Sequence, residues 1–417
     1  MSDFKLMDAF RKTISKVKDK GIANQAEFDV AYSTGFLGLD YLNGNVVHVQ
    51  SKDINLTYNS VGILDGSANT FIGRSGCGKS TFVLQVAANI VKQFPESCLY
   101  IDDIEGSLPA SRKEFLLGMT NEEMKTKVDM RNTGITTENV FQRIKALHDI
   151  KLENRPAFEY DTGLYDTFGN RIFKLIPSVY VIDSLPMLMP DDITEDDELA
   201  GSMGASSIAK KNTQLVKKIC QLLKEANIIL FTINHIMDDI VINPMARKQA
   251  QVAGLGQGER LPGGKAAVYL ANNLFRIDDK MTLKSTEGYG IDGSICYIKI
   301  IKSRSNKTLR SVPIIFNKSE GRFDDILSLY QLLKEEGRIG GAGAYMYIQS
   351  APNIKFQQKV FKEKLYASPE LQTAFAKECN DVLSSFLFAI KNQELEEART
   401  VNINNMILSM NTVVASA

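Results

Sequence analysis

The chain has 417 residues, 44% of them hydrophobic and 24% charged, a balance that fits a soluble globular protein with ample core material. Its 49 basic and 49 acidic side chains cancel, so nucleic acid would have to be held through a local groove or through repetition in an oligomer. Five singly placed cysteines without CxxC spacing and three scattered histidines argue against zinc or a disulfide framework. No apolar run approaches the ~18–20 residues of a membrane span, and Met1 to Lys5 contain an acid and start no long apolar stretch, so a cytoplasmic location is expected.

Residues 1–25 read as a helix, because Met7, Phe10, Ile14 and Val17 recur at three- and four-residue spacing. They belong to an N-terminal helical arm, 1–32, that packs on its own domain or docks on a neighbouring subunit. From about 34 to 330, short β-branched runs alternate with helical stretches, the pattern of βαβ units on a mostly parallel twisted sheet with flanking helices. The strand candidates are Thr70–Ile72, Ser97–Ile101, Val179–Ile182, Ile228–Ile233, Leu274–Ile277, Cys296–Ile301 and Val312–Phe316. This α/β core is assigned to 33–336. Within it, Pro244 to Gly264 is a Gly- and Gln-rich loop without periodicity. Gly337 to Ala344 reads as a linker to a helical appendage, 345–417, with helices over Phe356–Tyr366, Pro369–Lys391 and Val401–Ser409.

Gly73, Arg74, Ser75, Gly76, Cys77, Gly78, Lys79 and Ser80 spell GxxxxGK[ST] in full, between an apolar strand and a helix that starts at Thr81. Glycines there let backbone N–H groups turn inward around phosphates; Lys79 reaches the outer phosphates of ATP, and the Ser80 hydroxyl serves Mg²⁺. The strand Val179–Ile182 ends in Asp183, placed to support that metal. Another strand ends in Asp102, Asp103 and Glu105; Glu105 is the first choice for the base that activates water, with Asp103 in reserve. The strand Ile228–Ile233 ends in Asn234 and His235, which on a parallel sheet share the ligand-binding edge and could sense the terminal phosphate.

With those residues in place, the chain resembles the RecA family of recombinases, particularly its tailed-phage branch. Ser33 to Gly44 is similar to the family's TGxxxLDxxLxGG lead-in, and Asn234-His235 to the phage form of its strand-end sensor. Leu261 to Ala266 is similar to the GGNA that follows the second DNA-binding loop, and Lys299 to Arg304 to a late basic strand. The family reads IDxE where this chain has one residue more before Glu105.

The resemblance implies a RecA-like P-loop NTPase core and a DNA-dependent ATPase. Such a protein would form helical filaments on single-stranded DNA, pair it with double-stranded DNA, and work with a recombination mediator and a single-strand-binding protein. It assigns Lys302 and Arg304 to the nucleotide of the adjacent subunit, as trans-acting catalytic cations. DNA contacts fall on Arg247, Lys248, Arg260, Gly263, Gly264 and Lys265 in the second loop. The counterpart of the first loop, Pro190 to Glu198, is strongly acidic, which leaves Gly201 to Gly204, Lys210 or Lys211 for DNA. A hexameric RecA-fold helicase and a regulatory ATP-switch filament protein are the alternatives.

Overall fold

The computed structural model describes residues 30–387 except 51–53, 107, 167–168, 195–201, 239–253, 257, 263–267, 269–270, 287 and 305. The predicted N-terminal helix, the Val401–Ser409 helix, Gly201, Arg247, Lys248, Gly263, Gly264 and Lys265 lie outside the described residues.

The fold is mixed α/β, organised on one nine-stranded sheet. Its strands are β1 (Ala68–Gly73), β2 (Leu99–Asp103), β3 (Val128–Arg131), β4 (Ser178–Asp183) and β5 (Ile228–His235), then β6 (Asn273–Leu283), β7 (Gly293–Ser303), β8 (Ser311–Asn317) and β9 (Arg322–Asp324). Their spatial order is β9-β8-β7-β6-β1-β5-β4-β2-β3. The run from β6 to β3 is parallel. The strands β7, β8 and β9 then turn back antiparallel at one edge. All seven strand candidates fall in this sheet, whereas β3 and β9 lacked a sequence signal. Val128–Arg131 is half-buried and carries alternating charge, and Arg322–Asp324 is only three residues long.

The central strands are buried almost throughout because helices cover both faces. Every residue of β1 and of β4 is buried. Phe71 on β1 stacks on Phe275 of β6 at 4.9 Å and meets Phe231 of β5 edge-on at 5.6 Å, tying three neighbouring strands together. Each such burial stabilises by roughly 1.5–3 kcal/mol, so the strand that presents the Gly73 to Ser80 loop is firmly set. The Thr70 and Thr232 hydroxyls add a 2.8 Å hydrogen bond between β1 and β5.

The covering helices are α1 (Lys79–Val91), α2 (Thr137–Glu153), α3 (Ser202–Ala226), α4 (Asp325–Glu335) and α5 (Pro369–Ser384). Helix α1 buries Phe82, Val83, Val86, Ala87, Ile90 and Val91, and its Gln85 side chain brackets the Phe323 backbone of β9 with bonds of 2.8 and 3.1 Å. Among the described residues, no helix is long and apolar enough to cross a membrane.

The chain beyond α4 departs from the sequence reading. Gly337 to Ala344 is not a linker: Ile339–Ala342 pairs with Tyr345–Ile348, which pairs with Ala351–Gln357, in a three-stranded sheet. Glycine runs suggest slack, but here Gly343 (φ +65°) makes the hairpin turn, and the Tyr347 ring lies where a Cβ at Gly340 would sit. The predicted helix Phe356–Tyr366 therefore begins as strand, passes through a 3-10 turn at Gln358–Val360 and is α-helical over Phe361–Ala367. Leu371, Phe375 and Leu383 of α5 join the same buried cluster as the central strands.

Candidate nucleotide site

The loop from Gly73 to Ser80 leaves β1 and enters α1. Gly76 (φ +79°) and Gly78 (φ +82°) adopt the left-handed backbone that side chains disfavour. A Cβ on Gly78 would come within 2.9 Å of the Phe323 ring, whereas one on Gly76 would meet nothing within 4 Å among the described residues beyond its chain neighbours. The space above Gly76 is thus free for a ligand. The first helical N–H groups of α1, which have no intrahelical acceptor, lie just behind it. Helix α1 starts at Lys79, so Lys79, Ser80 and Thr81 form its first turn.

Lys79 is buried, and its Nζ donates to the Arg74 carbonyl at 2.8 Å, across the loop's own mouth. Burial pushes its ammonium below the usual lysine range, opposed by Cys77, Asp183 and Glu105. This lysine is therefore held as a latent cation with nearby acids and few ligands of its own.

The three acids after β2 are sorted by their neighbours. Asp102 is taken by the Tyr180 hydroxyl and by Arg143 Nη1 at 2.5 Å. Asp103 is buried and paired with Lys113, and its Oδ1 accepts the Gly106 N–H at 3.0 Å. Only Glu105 turns toward the edge shared with His235. Its Oε1 accepts from Ser184 Oγ at 2.5 Å and lies 2.8 Å from His235 Nε2. At the strand end the Ile104 and Glu105 N–H groups both donate to the Asp183 carbonyl, at 2.6 and 3.3 Å. Burial pushes the Glu105 carboxyl up, but the hydrogen bonds from Ser184 and His235, the His235 charge and Lys79 outweigh it, and its pKa ends below the usual value.

Register places these groups together. Asp183 sits opposite Asp103, and His235 opposite Gly73, at the same ends of neighbouring strands. Asp183 is buried, and its Oδ1 has no hydrogen-bond partner. Its pKa rises to about 6, chiefly through burial, with Glu105 and Asp103 adding repulsion and the Ser80 hydroxyl bond working against them. Mg²⁺ is usually held by one or two carboxylates together with hydroxyls, water and phosphates. A bare buried carboxylate oxygen beside a hydroxyl fits that requirement. Among the described residues, no group of three or more His, Cys, Asp or Glu side chains could hold a metal by itself.

The predicted sensor residues differ in what they hold. Asn234 is buried, donating to the Pro262 carbonyl at 3.0 Å while its Oδ1 accepts the His235 N–H at 2.7 Å. It thus joins the strand end to the later part of the Pro244 to Gly264 stretch. Arg260 is exposed in a short ribbon, Met237–Asp238 against Glu259–Arg260.

Other predicted residues stand apart from this cluster. Lys302 Nζ donates to the Val268 and Ala271 carbonyls of its own chain, both at 2.9 Å, and the Arg304 N–H donates to Asn272. Lys210 is exposed, but Lys211 binds Glu138 at 3.1 Å and Asp192 at 2.7 Å, so the acidic segment neutralises the cation beside it. Sequence reasoning missed Ser184, Lys113 and Arg143. Ser184 carried a signal, since it directly follows the strand-end Asp183; the other two reach the acids only through the tertiary fold.

No family model matches the chain, and no curated protein matches it either.

Proposed function

We propose that this chain is an ATPase with a RecA-like core that assembles on single-stranded DNA and promotes homologous pairing and strand exchange. The observation that carries the catalytic part is the convergence of the phosphate loop, Asp183, Glu105 and His235 at one sheet edge, with Glu105 held 2.8 Å from His235. Acids without a phosphate loop, or the loop without a poised carboxylate, would not support this reading.

In this reading the loop N–H groups and Lys79 hold the phosphates, Lys79 exchanging the Arg74 carbonyl for phosphate oxygens. Ser80 and Asp183 would hold Mg²⁺, which when bound neutralises phosphate charge. Glu105 accepts the proton of the attacking water, and Ser184 and His235 keep its carboxylate ionised and aimed. Asn234 and His235 read the terminal phosphate and pass its presence, through the Pro262 contact, to the second loop itself. Arg260 and the rest of that loop are the proposed DNA contacts. A neutral protomer suffices for this, because a few cations repeated along a filament release counterions additively. Lys302 and Arg304 would complete the site from the next subunit, which requires Lys302 to leave its two carbonyls and makes hydrolysis depend on assembly.

The test is ATP hydrolysis measured with and without single-stranded DNA, with negative-stain images of the same samples. DNA-stimulated turnover with extended filaments is expected. Closed hexamers that unwind forked DNA would overturn the recombinase reading in favour of a helicase, and filaments without turnover would favour a regulatory switch.

A further inference from the structure

Arg74, the second residue of the phosphate loop, is bound to a different part of the molecule. Its guanidinium forks onto Asp238, with Nη1 to Oδ2 at 3.0 Å and Nη2 to Oδ1 at 2.7 Å. Nη2 also lies 3.6 Å from Glu259. These two acids face each other across the ribbon Met237–Asp238/Glu259–Arg260, which follows the strand of Asn234 and His235. Glu259 is anchored by Arg276 of β6 at 2.6 and 3.1 Å, and the Arg276 Nε is held by Asp278 at 2.8 and 2.9 Å. The chain of charges runs Asp238, Arg74, Glu259, Arg276, Asp278: three acids on two guanidiniums.

The two ends of this chain differ. Arg276 and Glu259 are largely shielded, with side chains 15% and 10% exposed, whereas Arg74 and Asp238 are 55% and 69% exposed. Exposed ion pairs are weak and easily exchanged, and a guanidinium prefers the bidentate geometry that phosphate offers as well as carboxylate does. Arg74 also lends its carbonyl to Lys79, so one residue touches both the phosphate-binding cation and the ribbon.

We propose that Arg74 is a coupling residue that exchanges Asp238 for the polyphosphate of a bound nucleotide, releasing the ribbon from the phosphate loop. The inference rests on the reading of Gly73 to Ser80 as a triphosphate site. It is a route separate from Asn234, which reaches the Pro262 carbonyl instead. By linkage, whatever binds the freed ribbon raises nucleotide affinity by the factor with which nucleotide favours ribbon release.

The experiment measures binding of a nonhydrolysable ATP analogue, and hydrogen exchange of the Met237, Asp238, Glu259 and Arg260 amides, in the wild-type chain and in Asp238→Asn. Asp238→Asn lies outside the phosphate loop and keeps the side-chain shape. It is expected to bind the analogue roughly two- to fivefold tighter, the range for losing an exposed ion pair that competes with the ligand. In the wild type the analogue is expected to speed exchange of the ribbon amides; in Asp238→Asn they exchange fast without it. Wild-type affinity in Asp238→Asn, or ribbon exchange in the wild type that ignores the analogue, overturns the coupling alone. A wild-type chain that binds no nucleotide overturns the functional reading beneath it.

Discussion

Asp183→Asn should make the nucleotide-free protein more stable while removing its use of Mg²⁺. The Asp183 carboxyl is raised from 3.8 to about 6, mainly by burial. A raised carboxyl pKa means the folded state holds the proton more tightly than the unfolded chain. Stability from this group is therefore complete below pH 3.8 and is lost as pH climbs through about 6. Two units at ~1.36 kcal/mol each set an upper bound of about 3 kcal/mol for keeping the bare carboxylate ionised at neutral pH. Asparagine fills the same space and still accepts from Ser80, but has no charge to desolvate. At pH 7.5 the variant should melt higher by up to about 3 °C, by the usual scaling of Tm with stability for a chain of this length. At pH 3.5 the gain should vanish.

Buried Asp40, also raised to about 6 by burial, titrates in the same window in both proteins, so the difference between the two melting curves is the quantity to read. The paired assay is nucleotide affinity with and without Mg²⁺. Wild type should gain affinity from the metal, and Asp183→Asn should not. A variant that melts lower than wild type at pH 7.5, or a difference independent of pH, would refute the argument that Asp183 is held ionised against its surroundings.

Other outcomes test the remaining parts of the site. Glu105→Gln is expected to lower ATP turnover by ~10²–10⁴, the usual worth of a general base, with nucleotide binding retained; unchanged turnover removes the assignment, because Asp103 is already committed to Lys113. His235→Ala should move the acid limb of the rate–pH profile upward, since His235 helps hold the Glu105 carboxyl below its usual range against burial; an unmoved limb would show that the contact is idle. Gly76→Ala and Gly78→Ala both force a left-handed residue, at ~1–2 kcal/mol. Gly78→Ala should melt lower because its methyl also strikes Phe323, while Gly76→Ala should lose nucleotide affinity at least as much. Isothermal titration and thermal melts separate the two, and a Gly76→Ala protein that binds like wild type would contradict the placement of phosphates over that loop.

Local sequence was enough for the parts of this molecule that depend on neighbouring residues. The GxxxxGKS run set between an apolar strand and a helical stretch reads as the turn that joins them, and the apolar strand runs declare burial on both faces. All seven strand candidates accordingly appear in the sheet. The sequence misled where short elements are held by contact with distant ones. The Gly337–Ala344 stretch reads as slack, yet Gly340 packs beneath Tyr347 in a sheet. Nor could spacing tell which of Asp102, Asp103 and Glu105 is paired inside the fold and which faces the sheet edge. That choice is made by Arg143, Lys113 and Ser184, which come from separate segments and meet the acids only when parallel register brings the strand ends level. The link from Arg74 to Asp238 is of the same kind, joining residues 164 positions apart. Backbone geometry is a local property and can be read from types and order; pairing of charges is a property of distance in space, which only the tertiary fold sets.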